Sequence, residues 1–151
     1  LTIDGCVITE NEAANLATVY EDKANDLTIV NSKFLNNKAS QMADLYYSNN
    51  ALITLVNNVF EGAKTTSSYA YSPSCSIQTG KSIIKGNTFK DLSGSYYAAA
   101  LHATYNNGDN IANITDNTFI NCTYTGTNGG IIFFQYLVNP NFPPAINAYN
   151  E

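Results

Sequence analysis

The stretch Ile114-Thr115-Asp116-Asn117-Thr118-Phe119-Ile120-Asn121 carries a pattern that occurs five times in the chain. An apolar residue is followed five positions later by phenylalanine or isoleucine, with small polar residues between them. The pairs are Ile3/Ile8, Ile29/Phe34, Leu55/Phe60, Ile84/Phe89 and Ile114/Phe119. Their second members, the anchors, stand 26, 26, 29 and 30 residues apart. A period of this size marks a solenoid, in which no repeat buries its apolar face until a neighbour stacks on it.

Aligned on the anchors, the coils read in columns. Leu1, Leu27, Ile53 and Ala112 stand seven before the anchor, with Ser82 as the exception. Ile3, Ile29, Leu55, Ile84 and Ile114 stand five before it, and the step of two between these columns is that of a half-buried strand. From minus five to the anchor is an odd step, so the chain must bend. Gly5-Cys6, Asn31-Ser32, Asn57-Asn58, Gly86-Asn87 and Asp116-Asn117 fill the bend. Gly and Asn tolerate positive φ and Asn bonds nearby backbone, which predicts a two-residue corner with Asn58, Asn87 and Asn117 stacked in an amide ladder.

Behind each anchor comes a variable loop, over 10–15, 36–41, 61–73, 90–97 and 121–129. Another strand-like run follows, over 16–20, 44–47, 75–78, 100–104 and 131–135. The expected fold is all-β: a right-handed parallel β-helix of about five coils over residues 1–138, with three short strands and three corners per coil. Right-handed winding follows the general rule for parallel crossovers, and left-handed β-helices use shorter, hexapeptide-based coils. Residues 139–151 break register at Pro140, Pro143 and Pro144, since proline cannot donate to a ladder. This piece is read as a cap folded over the last coil, in preference to the start of a further coil at Ile146.

Charged residues are 13% of the chain, about half the usual share. Net charge is −5 and every basic residue is lysine, so nucleic acid and anionic membrane surfaces are poor partners. The longest apolar stretch, 130–138, is too short to cross a bilayer and contains Gln135, so no membrane insertion is expected. No signal peptide is visible, and Leu1 falls on a repeat position, so the natural chain is expected to extend further or to have been processed. Cys6, Cys75 and Cys122 have no metal-ligand spacing. Stacking separates the first from the last by roughly 19 Å, against a limit of about 7 Å between bridged Cα atoms. Neither a disulfide nor a metal or other cofactor is expected.

Three strands per coil and a two-residue Asn corner resemble the right-handed parallel β-helix of the pectate-lyase-like superfamily. The segment Asn117 to Cys122, followed by Gly129-Gly130-Ile131-Ile132, resembles the repeats of chlamydial polymorphic outer-membrane proteins and archaeal adhesin-like surface proteins. The other coils lack the Gly-Gly pair. Members of the superfamily that cut polysaccharides carry their carboxylates, or calcium-binding carboxylates with a basic residue, along the strand after the long loop.

That face offers Thr18, Tyr20, Tyr46, Gln78, His102, Thr104 and Gln135, with Glu21 and Asp44 as the nearby carboxylates. No Lys falls on it, as a lyase would need. Glu10 and Asp91 share a column but lie about 14 Å apart, beyond the roughly 5–9.5 Å of a hydrolase pair. His102 with Asp109 and Asp116 is the one grouping of a histidine with two carboxylates, though a strand histidine satisfied by its surroundings is the simpler reading. No catalytic residue is therefore assigned. The eleven tyrosines, among them Tyr46, Tyr47, Tyr69, Tyr71, Tyr96, Tyr97 and Tyr124, offer stacking surfaces for sugars or packing surfaces for loops. Tyr46, Tyr47, Tyr96, Tyr97 and His102 are the candidate glycan-binding residues. Asn121 and Asn113 head glycosylation sequons of the kind such a composition produces by chance.

The expected role is a non-enzymatic structural or adhesive module of a longer extracellular or cell-surface protein or fibre. Its expected partners are neighbouring coils or subunits stacking on the solenoid ends, as a homo-oligomer or filament. The alternative is a carbohydrate-binding or polysaccharide-processing β-helix acting on neutral glycans.

Overall fold

Short strands broken by residues that accept positive φ cannot form one broad sheet; they wind. The computed structural model describes residues 1–22, 26–48, 51–105 and 111–136, and the strand Ala145–Tyr149; for Tyr136 and that strand it describes the backbone. All described secondary structure is β, in parallel sheets stacked as a β-solenoid of about four turns. Five anchors enclose four full turns, which is why the count falls just short of the five coils expected.

The first sheet has six strands: Thr2–Asp4, Leu27–Val30, Leu52–Val56, Lys81–Lys85, Ile111–Thr115 and Ala145–Tyr149. The anchor sheet has five: Val7–Thr9, Lys33–Leu35, Val59–Glu61, Thr88–Lys90 and Thr118–Ile120. The third sheet also has five: Val19–Glu21, Leu45–Ser48, Cys75–Thr79, Ala98–Tyr105 and Gly130–Tyr136. Within the first sheet Ile3, Ile29, Leu55, Ile84 and Ile114 are register partners. Within the anchor sheet Ile8, Phe34, Phe60, Phe89 and Phe119 are partners.

The phenylalanine rings pile inside the tube, with centroids 4.9, 5.1 and 5.1 Å apart from Phe34 to Phe119. Phe34, Phe60 and Phe89 are fully buried. Each such burial stabilises by about 1.5–3 kcal/mol, and stacking adds about 0.5–1.5. Ser82, the polar exception in an apolar column, is buried with its hydroxyl 2.7 Å from Tyr105 Oη, which reaches across from the third sheet.

The corner between first and anchor sheets has positive φ at Gly5, Asn31, Asn57, Gly86 and Asp116 (52–64°). The residue after it turns inward. Asn58 Nδ2 donates to Asn87 Oδ1 and Asn87 Nδ2 to Asn117 Oδ1, both at 3.0 Å. The same amides donate to the carbonyls of Ile29 and Leu55 at 2.8 and 2.9 Å. The acceptors Asn87 Oδ1 and Asn117 Oδ1 also take the backbone N–H of Asn58 and Asn87. These buried amides are thus bonded on both sides.

A second corner follows each anchor, with positive φ at Glu10, Asn36, Gly62, Asp91 and Asn121 (49–68°). Sequence reading put these residues at the start of variable loops, but they repeat as regularly as the first corner. Two-residue strands continue beyond it: Lys38–Ala39 pairs with Lys64–Thr65, and Ser93–Gly94 with Thr123–Tyr124. Real irregularity starts only after them. At the other end, Ala145–Tyr149 pairs in parallel with Ile111–Thr115, placing Ile146 opposite Ala112. This backbone extends the first sheet; Pro140, Pro143 and Pro144, on which the cap reading rests, lie outside the described residues.

Candidate functional site

Alternation along the third sheet sends Leu45, Tyr47, Cys75, Ile77, Leu101 and Ala103 into the core. The residues between them form an outer column of register partners: Tyr20, Tyr46, Ser76, His102 and Phe133. Ser76 is the rung without a ring. On one side of it Tyr20 and Tyr46 stack, 5.1 Å apart and 12° from parallel. On the other side His102 stacks on Tyr97 (5.1 Å) and Phe133 (5.8 Å) and lies tilted against Tyr71 at 5.5 Å. Loops press this cluster down. Tyr97 stacks on Tyr71 and Phe133, Tyr96 meets Tyr97 edge-on, and Tyr69, 71% exposed, meets Tyr96. A Cβ on Gly129 would collide with the Tyr97 carbonyl oxygen, so only glycine lets the last loop come this close.

His102 is buried under these rings. Its Nδ1 lies 3.0 Å from Ser76 Oγ, and its Nε2 lies 3.4 Å from Thr104 Oγ1. Burial pushes its pKa down to about 4, leaving a neutral imidazole at pH 7. The ring is a packed member of the aromatic cluster. Asp116 sits at the first corner, in another column from His102; Asp109 lies outside the described residues. Among the described residues no cluster of His, Cys, Asp and Glu is placed to hold a metal ion.

Where the column lacks a ring, a cleft of about 170 Å³ opens. Its strand-borne lining is Tyr46, Ser76 and Gln78; the preceding loops supply Gln41, Met42 and Tyr71, with Leu16 alongside. Gln78 Oε1 accepts a hydrogen bond from Ser48 Oγ at 3.2 Å. Among the described residues no charged side chain lines the cleft.

One column over, Asp44 is fully buried. Its Oδ1 accepts from Asn37 Nδ2 at 2.9 Å and its Oδ2 from Ser74 Oγ at 3.0 Å. Burial pushes its pKa up to about 7, although both hydrogen bonds favour the charged form. Glu21 is the register partner of inward-facing Tyr47, whereas Asp44 precedes the strand Leu45–Ser48 and is held by Asn37 and Ser74. Glu10 and Asp91 occupy one column of the second corner with Asn36 and Gly62 between them.

Of the tyrosines proposed for glycan contact, Tyr46, Tyr96 and Tyr97 are half-buried on the outer side. Tyr47 is not: neighbouring strand residues face opposite ways, and its ring lies in the core, with no partner for its hydroxyl among the described residues. Burial, then Asp26 and Glu21, push that phenol up to about 12. Tyr124 Oη donates to the Tyr96 carbonyl at 2.7 Å. Asn113 is exposed on a first-sheet strand, and Asn121 is exposed at the second corner, donating to Asp91 Oδ1 at 2.6 Å. The cysteines are free, with Cys6 exposed, Cys122 half-buried and Cys75 in the core, each in a different column.

Sequence reasoning missed Leu16, Gln41, Met42 and Ser76 as members of a site. Only Ser76 left a readable trace, as the break between Tyr46 and His102 once the strands are aligned. The chain matches no family model, no curated protein and no solved structure. Neither the pectate-lyase-like superfamily nor the adhesin-like repeats gain support beyond the shared parallel β-solenoid, and function must be argued from the geometry above.

Proposed function

We propose that this chain is a non-enzymatic structural and adhesive module of an extracellular or cell-surface protein or fibre, of the adhesin-like style its last repeat resembles. The observation that carries the reading is the first rung. Thr2–Asp4, Val7–Thr9 and Val19–Glu21 are the outermost strands of all three large sheets. Ile3, Ile8 and Val19 are only partly buried there, and Val7 is 63% exposed. A parallel edge over an apolar core is a template for pairing with whatever adjoins it, a preceding coil of the same protein, a subunit or a second copy. Sedimentation across a wide concentration range tests this. Assembly should grow with concentration and disappear in Val7→Lys; a protein that stays monomeric at the highest concentrations would remove the support.

A second reading, binding of neutral glycans, is favoured by the uncharged, aromatic-walled cleft at Tyr46 and Tyr71. Its test is retention on immobilised neutral glycans, lost in Tyr46→Ala or Tyr97→Ala.

A further inference from the structure

We propose that the cleft over Ser76 is a pocket for a single neutral pyranose ring, seated face-on against Tyr46. The proposal rests on the glycan-binding reading and narrows it to one sugar residue at one place.

Shape comes first. Tyr20 covers one face of Tyr46, so the other face looks toward the rung of Ser76, which has no ring to offer. His102, tied to Ser76 Oγ and covered by Tyr97 and Phe133, closes the far side. Tyr46 and His102 are two rungs apart, about 10 Å at the usual strand spacing. That is twice the 4.9–5.1 Å at which stacked rings sit elsewhere in this protein. Tyr71, tilted against His102 at 5.5 Å, takes part of that interval, and what it leaves open beside Tyr46 is room for one ring and not two.

Volume agrees. A cavity of about 150 Å³ holds one six-membered ring, whereas pockets for larger ligands run to about 300–1,000 Å³. The cleft measures about 170 Å³.

Chemistry selects the kind of ring. Tyr46, Tyr71 and Met42 supply apolar contact, while Ser76, Gln41 and Gln78 supply uncharged hydrogen-bonding groups. A bare aromatic ring would strip water from those amides and give nothing back, at about 1–3 kcal/mol for each group left unpaired. An ionised ligand would find no counter-charge among the described lining residues. A pyranose has apolar faces and a rim of hydroxyls, and meets both halves of the lining.

The experiment is saturation-transfer NMR and titration of the full chain with methyl pyranosides of gluco, galacto and manno configuration. Phenol and an immobilised panel of neutral glycans run in parallel. At least one pyranoside should bind, and Tyr46→Ala and Gln78→Ala should each weaken it tenfold or more. Ser76→Phe should abolish binding by putting a ring in the gap. Circular dichroism and melting check that each variant folds; because Ser76 is buried, the half-exposed Tyr46 and Gln78 carry the test if Ser76→Phe does not. Pyranoside binding that ignores Tyr46→Ala and Gln78→Ala overturns the pocket and leaves glycan binding standing. So does retention on the panel without any binding of single pyranosides. Phenol binding more tightly than every pyranoside, and only with Tyr46 present, overturns the ligand class. Silence from both pyranosides and panel ends this proposal and the glycan reading together.

Discussion

Two columns of side chains run along this solenoid, one inside and one outside, and they obey different rules. The anchor column repeats Phe34, Phe60, Phe89 and Phe119, with every ring on the next. The outer column of the third sheet reads Tyr20, Tyr46, Ser76, His102 and Phe133, and its stack breaks in the middle. The inner residues are constrained by the rungs above and below, and all solve the same packing problem. Outer residues answer to whatever loop lies over them. Repetition therefore marks what holds the fold, and the breaks mark where something else is accommodated.

The largest effect should separate the two columns directly. Phe60→Ala leaves a hole between two stacked rings and should cost about 3–5 kcal/mol in urea denaturation. Tyr20→Ala removes a stack of similar geometry from a residue that is 47% exposed, and should cost no more than about 1.5 kcal/mol. Equal losses would erase the distinction between inside and outside.

Two buried ionisable groups sharpen it through pH. Asp44 has its folded pKa raised from 3.8 to about 7. The folded chain thus keeps a proton that the unfolded chain releases, and this contribution is full below about pH 4 and lost as pH rises toward 7. His102 is lowered from 6.5 to about 4. Its contribution is full above about pH 6.5 and lost as pH falls toward 4. At 1.36 kcal/mol per unit the two swings are about 4 and about 3 kcal/mol, opposite in sign over nearly the same window. The wild-type pair should largely cancel. Asp44→Asn, which can keep its bonds to Asn37 and Ser74, should make stability rise between pH 4 and 6.5. His102→Gln should make it fall between pH 4 and 7. Melting curves across that range decide; parallel profiles for both variants would show that these groups are not buried as described.

The corner amides come next. Asn87→Ala strands the Asn58 amide, the Asn58 backbone N–H and the Leu55 carbonyl, all buried partners. The cost should be about 2–3 kcal/mol. Asn113→Ala, at an exposed asparagine on the first sheet, should stay within about 0.5 kcal/mol.

How much of this was legible follows the same division. The anchor period, the bend at Asn57-Asn58 and the apolar column through Leu55 could be read because each repeats in every turn. The second corner repeats too, but as Glu10, Asn36, Gly62, Asp91 and Asn121, a mixture that shares a positive φ but no residue type, so it passed for loop. The cleft was out of reach. Gln41, Met42 and Tyr71 come to Ser76 from loops of unequal length, and no periodicity encodes where a unique loop lands. Tyr47 was misplaced for a simpler reason: a pair of adjacent tyrosines looks like one platform until strand alternation is applied to it.

That pair supplies the smallest and most local test. Tyr46 and Tyr47 are neighbours in sequence, yet one lines the cleft and the other is buried in the core, its hydroxyl without a partner among the described residues. A buried hydroxyl without a partner costs about 1–3 kcal/mol, so Tyr47→Phe should leave stability unchanged or raise it by about 1 kcal/mol. Phe fills the same space and so opens no cavity. Tyr46→Phe keeps the ring and should leave the melting temperature where it is. A loss above about 1 kcal/mol in Tyr47→Phe would mean that the hydroxyl has a bonded partner inside the tube, and that the core is less uniformly apolar than the phenylalanine column suggests.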